Sequence, residues 1–266
     1  MKKALNIFLI VLFNLSLVWV TVGAISLSIA TSRSFYKKQF TENGIYAQHD
    51  AEGNETRKII YFIGGDSTRR ATFTDRQIDQ IIDHIAGYMS FSVESFELCL
   101  DNVYLVDEGY CDGTLIFGEA ATAHMEDVRE LVYAVRISLC VTVALLAFLS
   151  VYFILKRAEF KNILFGYSRL FYLSLLFLAL GFVVWSALGV NEDTPFALSI
   201  WKNMHYLLFP FQPGKIRGSA LADALVFFLD TDFFISATLT VLFPLLLVIF
   251  LWLFAAFFIE KQAKKT

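Results

Sequence analysis

Histidine has the widest chemical reach of any side chain in this sequence, and the 266-residue chain has four. His124 opens the run His124-Met125-Glu126-Asp127-Val128. On a helix Asp127, at i+3, shares a face with His124, where a carboxylate can orient an imidazole or raise its basicity. His205 lies far downstream between Met204 and Tyr206. Two neutral imidazoles near neutral pH suit the movement of protons to and from a reacting group. A histidine at a membrane surface is also commonly a hydrogen-bonded structural residue, and spacing alone leaves both readings open. His49, in a turn region bearing Gly and Asp, reads as structural. So does His84, expected on the solvated side of an isoleucine stripe.

Other chemistries find little to work with. There is no His-Glu-x-x-His and no cysteine pair at zinc spacing. Gly64-Gly65 lacks the further glycines and the lysine of a phosphate loop, and no Gly-x-Ser-x-Gly elbow is present. Asp107, Glu108, Asp112 and Glu119 match no calcium loop and read as a solvated acidic turn. No metal and no cofactor is called for.

The elements that must position the two histidines are membrane helices. Hydrophobic residues make up 57% of the chain, phenylalanine alone contributes 28, and only 18% is charged. A soluble domain would expose too much of that surface. Four apolar runs reach the roughly 20 residues needed to cross a bilayer: residues 5–30, 131–155, 170–190 and 233–259. The first follows Lys2 and Lys3 and ends in Ser28-Ile29-Ala30, but it is much longer than the apolar core of a signal peptide, so an uncleaved helix is expected. Lys156, Arg157, Lys161 and Arg169 fill the short connection between the second and third runs, and Lys261, Lys264 and Lys265 follow the fourth. Basic residues in short segments stay cytoplasmic, which puts both termini inside and residues 32–130 and 191–232 outside.

Residues 32–130 should then form a small cap of mixed α and β structure. Ser34–Phe40 reads as a short amphipathic extension of the first helix, and Ile59–Ile63 as a strand. Thr74-Asp75-Arg76-Gln77 has the form of a capping box, and Ile78, Ile81, Ile82 and Ile85 follow at helical spacing, predicting a helix from Asp75 to about Met89. Apolar runs at Phe96–Leu100, Val103–Val106 and Thr114–Phe117 supply a sheet for its stripe to cover. Cys99 and Cys111 fall in this oxidisable compartment, as a disulfide or as two thiols.

Residues 191–232 are too apolar for a plain loop and too interrupted to span, so they should lie in the interface or enter the membrane part way. His124, seven residues before the second run, would stand about 10 Å above its start. Topology thus puts His124 and His205 on the same side of the membrane. Trp201, Tyr206, Phe209 and Phe211 could line a pocket at headgroup depth, or reflect the general enrichment of aromatic rings in that layer.

The run from His124 to Arg129 ahead of the second membrane helix, the later Met204-His205-Tyr206-Leu207-Leu208-Phe209-Pro210, and Leu229–Phe234 together resemble the bacterial lipoprotein intramolecular transacylases. The stretch Phe211–Asp232 departs from that family's pattern in having no tryptophan and in having Asp230 where a proline is expected. The resemblance implies an acyltransferase that moves the sn-2 acyl chain of a diacylglyceryl-modified lipoprotein onto its N-terminal Cys amine, leaving a lyso-form. It implies His124 and His205 as the catalytic pair, with a bacterial lipoprotein and membrane lipid as partners.

Competing classes are a non-enzymatic membrane sensor with a ligand-binding cap and a subunit of a transport complex. The absence of a cytoplasmic output domain speaks against the first. Against the second, Arg136 is almost the only ionisable residue within the apolar runs. The net charge of −3 and the lack of any basic motif exclude nucleic acid as a partner. Nothing in the sequence fixes the oligomeric state.

Overall fold

A computed structural model describes residues 2–46, 48–49, 55–57, 59–160, 163–188, 190, 199–200, 203, 223–229 and 231–263. Four of its helices are long and apolar enough to cross a membrane. They are α1 (Lys2–Thr31), α4 (Glu119–Leu155), α6 (Leu164–Leu188) and α8 (Thr231–Ala263). Only 22%, 11%, 11% and 6% of the residues in their apolar windows are buried in the protein, so the remaining apolar surface requires lipid around it. The chain divides into a membrane unit (residues 1–27, 134–200 and 238–266) and a second unit (residues 28–133 and 201–237).

Within the membrane unit the helices meet through small and polar groups, as expected where lipid removes the hydrophobic drive for association. Buried Asn14 on α1 donates to the Oγ of buried Ser168 on α6 at 2.9 Å and to its own helix at Ile10 O. Trp19 Nε1 donates to Ser138 on α4 at 3.2 Å. Gly23 lets α1 approach α4, since a Cβ there would sit 3.2 Å from Leu139 Cδ1. Near one end, Ile10 packs with Phe153 and with Phe160 of the short α5 (Arg157–Phe160).

The second unit is an α+β fold. Ser32 breaks α1 from α2 (Arg33–Glu42) by capping the new helix, its hydroxyl accepting from Phe35 N. A hairpin of β1 (Gln48–His49) and β2 (Glu55–Arg57) follows, so His49 lies in a strand and not a turn. The main sheet is antiparallel, in the order β3 (Tyr61–Ile63), β4 (Asp66–Thr72), β6 (Val103–Leu105), β7 (Gly109–Cys111). A small pair joins β5 (Cys99–Leu100) to β8 (Thr114–Leu115). Cys99 and Cys111 are separate thiols.

Gly64 and Gly65 link Ile63 to its partner Asp66, and both have φ near +70° (65° and 73°), the geometry of a two-residue type I′ hairpin. The acidic turn is held by its own carboxylates: Asp112 accepts from Asn102 N and Asp101 from Gly113 N, each at 2.8 Å, while Arg70 pairs with Asp107. No group of metal-ligating residues occurs among the described residues.

Helix α3 (Asp75–Met89) carries the capping box in full: Gln77 N reaches the Thr74 hydroxyl and the Gln77 side chain accepts from Thr74 N. Its stripe of Ile78, Ile81, Ile82 and Ile85 is almost completely buried, at 0–1% exposure. The aromatic half of the core gathers on Phe228, from the short α7 (Ala224–Phe228). That ring stacks on Phe40 at 5.4 Å and meets Tyr61 at 5.1 Å, Phe73 at 6.2 Å and Phe117 at 6.5 Å.

Candidate active site

Helix α4 does not begin at the apolar run. It starts at Glu119, 12 residues earlier than Leu131, and is 37 residues long, or roughly 55 Å, well beyond the thickness of a hydrocarbon core. The extension is Glu119–Glu130, where Glu119 in the first turn favours the positive end of the helix. His124 and Asp127 both lie on it, three positions apart and half-buried, and the Nδ1 edge of His124 is enclosed.

Three groups fix the beginning of this extension. Thr122 N donates to Gly118 O at 3.0 Å, making Gly118 the start of the helical turn. Gly118 lies directly on the β3–β4 turn: a Cβ added there would fall 2.7 Å from Gly65 Cα and N, so only glycine fits. Its own N–H donates to Asp223 Oδ2 at 2.6 Å. Asp223 is the N-cap of α7, with Oδ1 accepting from Leu225 N at 2.9 Å. Burial pushes the Asp223 carboxyl up from its ordinary value, against the backbone N–H groups of Leu225, Gly118 and Gly65 that favour the anion.

On another face of α4, Arg129 lies 4.3 Å above the Tyr88 ring and 4.9 Å from Phe91, and donates to Glu94 O at 2.6 Å. Phe91 holds a left-handed φ of 67°, and its ring also meets Tyr133 at 5.9 Å. These residues edge a cleft of about 590 Å³ that includes Glu126 and Glu130.

His84 departs from expectation. It is not solvated but half-buried, with Nε2 3.1 Å from Phe96 O and its ring beside Phe96. A carbonyl only accepts, so this nitrogen carries the proton. Burial lowers the His84 pKa, outweighing that hydrogen bond. Residues on the edge of an isoleucine stripe cannot be told from its solvated side until the segment that covers them, here the one carrying Phe96, is known.

Of the residues singled out in the sequence, His124 and Asp127 are placed by α4. His205, Trp201, Tyr206, Phe209 and Phe211 lie outside the described residues. In the sequence Asp223 stands as a polar residue on the otherwise apolar stretch 219–229. Its signal was the helix-cap pattern of Asp before Ala224-Leu225-Val226-Phe227-Phe228.

A family model described as lipoprotein intramolecular transacylase Lit matches residues 8–210. No curated protein matches the chain by sequence. Among solved structures, the chain resembles the membrane-integral lipoprotein intramolecular transacylase Lit from Bacillus cereus, with a TM-score of 0.59 and 13% identity, over 99% of this chain and 100% of the other. A form of the same Bacillus cereus protein with one histidine changed to alanine gives a TM-score of 0.60 at 13% identity, over 100% and 98% of the two chains. A form with a histidine changed to arginine gives 0.59 at 13% identity, over 99% and 96%. At that identity these likenesses concern the fold.

Proposed function

Since the chain belongs to the lipoprotein intramolecular transacylase family, we propose that it moves the sn-2 acyl chain of a diacylglyceryl-modified bacterial lipoprotein to the amine of that lipoprotein's N-terminal cysteine. The observation that carries this reading is the family match over residues 8–210, a stretch that contains both His124 and His205. The amine attacks the sn-2 ester carbonyl, an amide C–N bond forms, and the ester C–O bond breaks. The proton lost by the nitrogen ends on the freed glycerol hydroxyl. One group must take that proton and another deliver one, and two imidazoles suffice. No covalent enzyme intermediate is needed.

His124 is assigned as the base, because Asp127 lies three positions on along the same helix and can hold the imidazole in its productive orientation. His205 is the acid. Trp201, Tyr206, Phe209 and Phe211 shape the pocket for the lipid part of the substrate. Donor and acceptor sit in one molecule, so confinement does much of the work, and effective molarities of such pairs are worth about 7–11 kcal/mol.

The basic residues of the short segments support cytoplasmic termini and a reaction at the outer face. In that arrangement the cap of residues 32–130 and the interfacial segment 191–232 lie outside, and the chain crosses the membrane at 5–30, 131–155, 170–190 and 233–259.

Expression in a bacterium without this activity, followed by mass spectrometry of a lipoprotein N-terminus, tests the proposal. Wild type should convert the diacyl form with a free amine to the N-acylated lyso-form, and His124→Ala should lower conversion by about 100-fold or more, within the range for loss of a general base. Unchanged diacyl lipoprotein with the wild-type chain, or full conversion with His124→Ala, contradicts it.

A further inference from the structure

Asp223 is the only buried carboxylate among the described residues, at 1% exposure, and the acyl transfer as derived above makes no use of it. A buried carboxylate is expensive unless its oxygens are filled with donors. Here three backbone N–H groups fill them, from Gly118, Leu225 and Gly65. These come from three separate parts of the chain: the residue before α4, the first turn of α7 and the β3–β4 hairpin turn. One side chain thus ties together the root of the helix that bears His124 and the segment that follows His205. Gly118 is six residues ahead of His124, and Asp223 is 18 residues beyond His205. Asp223 also lies past residue 210, where the family match ends.

The tie is tight in the other direction as well. Gly118 is pressed on Gly65 without room for a Cβ, so α4 cannot slide toward the hairpin. The carboxylate holds it from sliding away. Phe228, on the same short helix, is 0% exposed among the core rings and keeps α7 from rotating about its cap. The start of α4 is therefore fixed by a steric stop on one side and a hydrogen-bonded carboxyl tether on the other.

We propose that Asp223 is a positioning residue for the acyl transfer: its carboxylate sets the axial position and rotation of the first turns of α4, and so the placement of the His124 imidazole that this helix carries. This rests on the reading that His124 takes part in the reaction. Asp223 touches no reacting atom. It acts by holding a base where the amine must present its proton, and misplacement of a reacting group by about 1 Å can cost on the order of 100-fold in rate.

The experiment uses the full chain in liposomes with a synthetic diacylglyceryl lipopeptide, giving kcat and KM separately, and compares wild type with Asp223→Ala, Asp223→Asn and His124→Ala. Thermal unfolding of each purified variant gives the folded fraction at assay temperature. Expected is a fall in kcat of about 10- to 100-fold for Asp223→Ala with KM within about twofold. Asparagine keeps one oxygen for an N–H donor, so Asp223→Asn should fall between Asp223→Ala and wild type. A folded Asp223→Ala with wild-type kcat, a change confined to KM, or an activity loss equal to the loss of folded protein overturns the inference. Should Asp223→Ala fail to fold, Asp223→Asn carries the test, and a folded Asp223→Asn at wild-type kcat overturns it. His124→Ala separates the two ideas: if it is fully active, the assignment of His124 fails, whereas an inactive His124→Ala beside a fully active Asp223→Ala leaves that assignment standing and removes Asp223 from it.

Discussion

At the scale of single residues, burial decides what each ionisable group does. His84 lies against Phe96 with its ring half out of water, and its pKa is lowered because the cation loses hydration there. A group that is harder to protonate in the folded state than in the unfolded chain stabilises the fold above the unfolded pKa, near 6.5, and that stability is lost as pH falls through it. The unfolding midpoint of the wild type should therefore drop as pH is lowered from about 7 to about 5, by more than that of His84→Gln, which keeps a donor for Phe96 O without the titration. Equal slopes for the two proteins, followed by thermal unfolding in detergent, would show that His84 titrates as it does in water. Asp79 has the opposite character: Tyr46 donates to it at 2.6 Å and Lys37 at 3.0 Å, and its pKa is lowered by these partners at the surface.

At the scale of elements, local signals carried α3 in full and also marked α2 and the strands β3, β5, β6 and β8 of the second unit. Thr74, Gln77 and the isoleucine spacing specify that helix within 15 residues, and its observed limits are those the pattern predicts. Gln77 does more than cap, since its amide also donates to Asp101 O and Asn102 O, each at 3.1 Å, fastening the helix start to the β5–β6 connection. Thr74→Ala should cost about 1 kcal/mol, the usual value of an N-cap, and Gln77→Ala more, because it leaves two carbonyls without their donor. Denaturant unfolding of the two variants checks that order.

Strand β4 was not legible: Asp66-Ser67-Thr68-Arg69-Arg70-Ala71-Thr72 has almost no apolar alternation, with only Ala71 buried, and it is a strand because β3 and β6 flank it on both sides. The start of α4 was hidden for a related reason. Glu119–Glu130 reads as polar, and its helicity depends on Gly118, Asp223 and the packing of buried Ala121 and Met125. His124 and Asp127 could be found from residue type and spacing, whereas Asp223 could not be connected to them, since its partner Gly118 is 105 positions away.

Over the whole molecule, the membrane class followed directly from composition, because four long apolar runs have no alternative use in water. How those helices meet did not follow, since it depends on isolated polar contacts that a hydrophobic pattern conceals. The Asn14–Ser168 hydrogen bond is one: both residues are 0% exposed, 154 positions apart, in segments where apolar residues predominate. A double-mutant cycle of Asn14→Ala and Ser168→Ala should give a coupling of roughly 0.6–2 kcal/mol, the range for such bonds in membranes. A coupling of zero, measured by reversible unfolding in mixed micelles, would mean that each side chain is satisfied equally well without the other.

The ring of Phe228 sets a schedule for the ribosome as well as a core for the fold. Its neighbours Phe40, Tyr61, Phe73 and Phe117 are all synthesised more than 100 residues before it, and α4 and α6 are made in between. Throughout that interval the nascent chain has a hole where the last aromatic ring belongs, and the carboxylate that fastens Gly118 does not yet exist. Contacts of such long sequence separation form late. The root of the histidine-bearing helix therefore lacks its tether until the segment around residues 223–229 has been made and has folded back onto it.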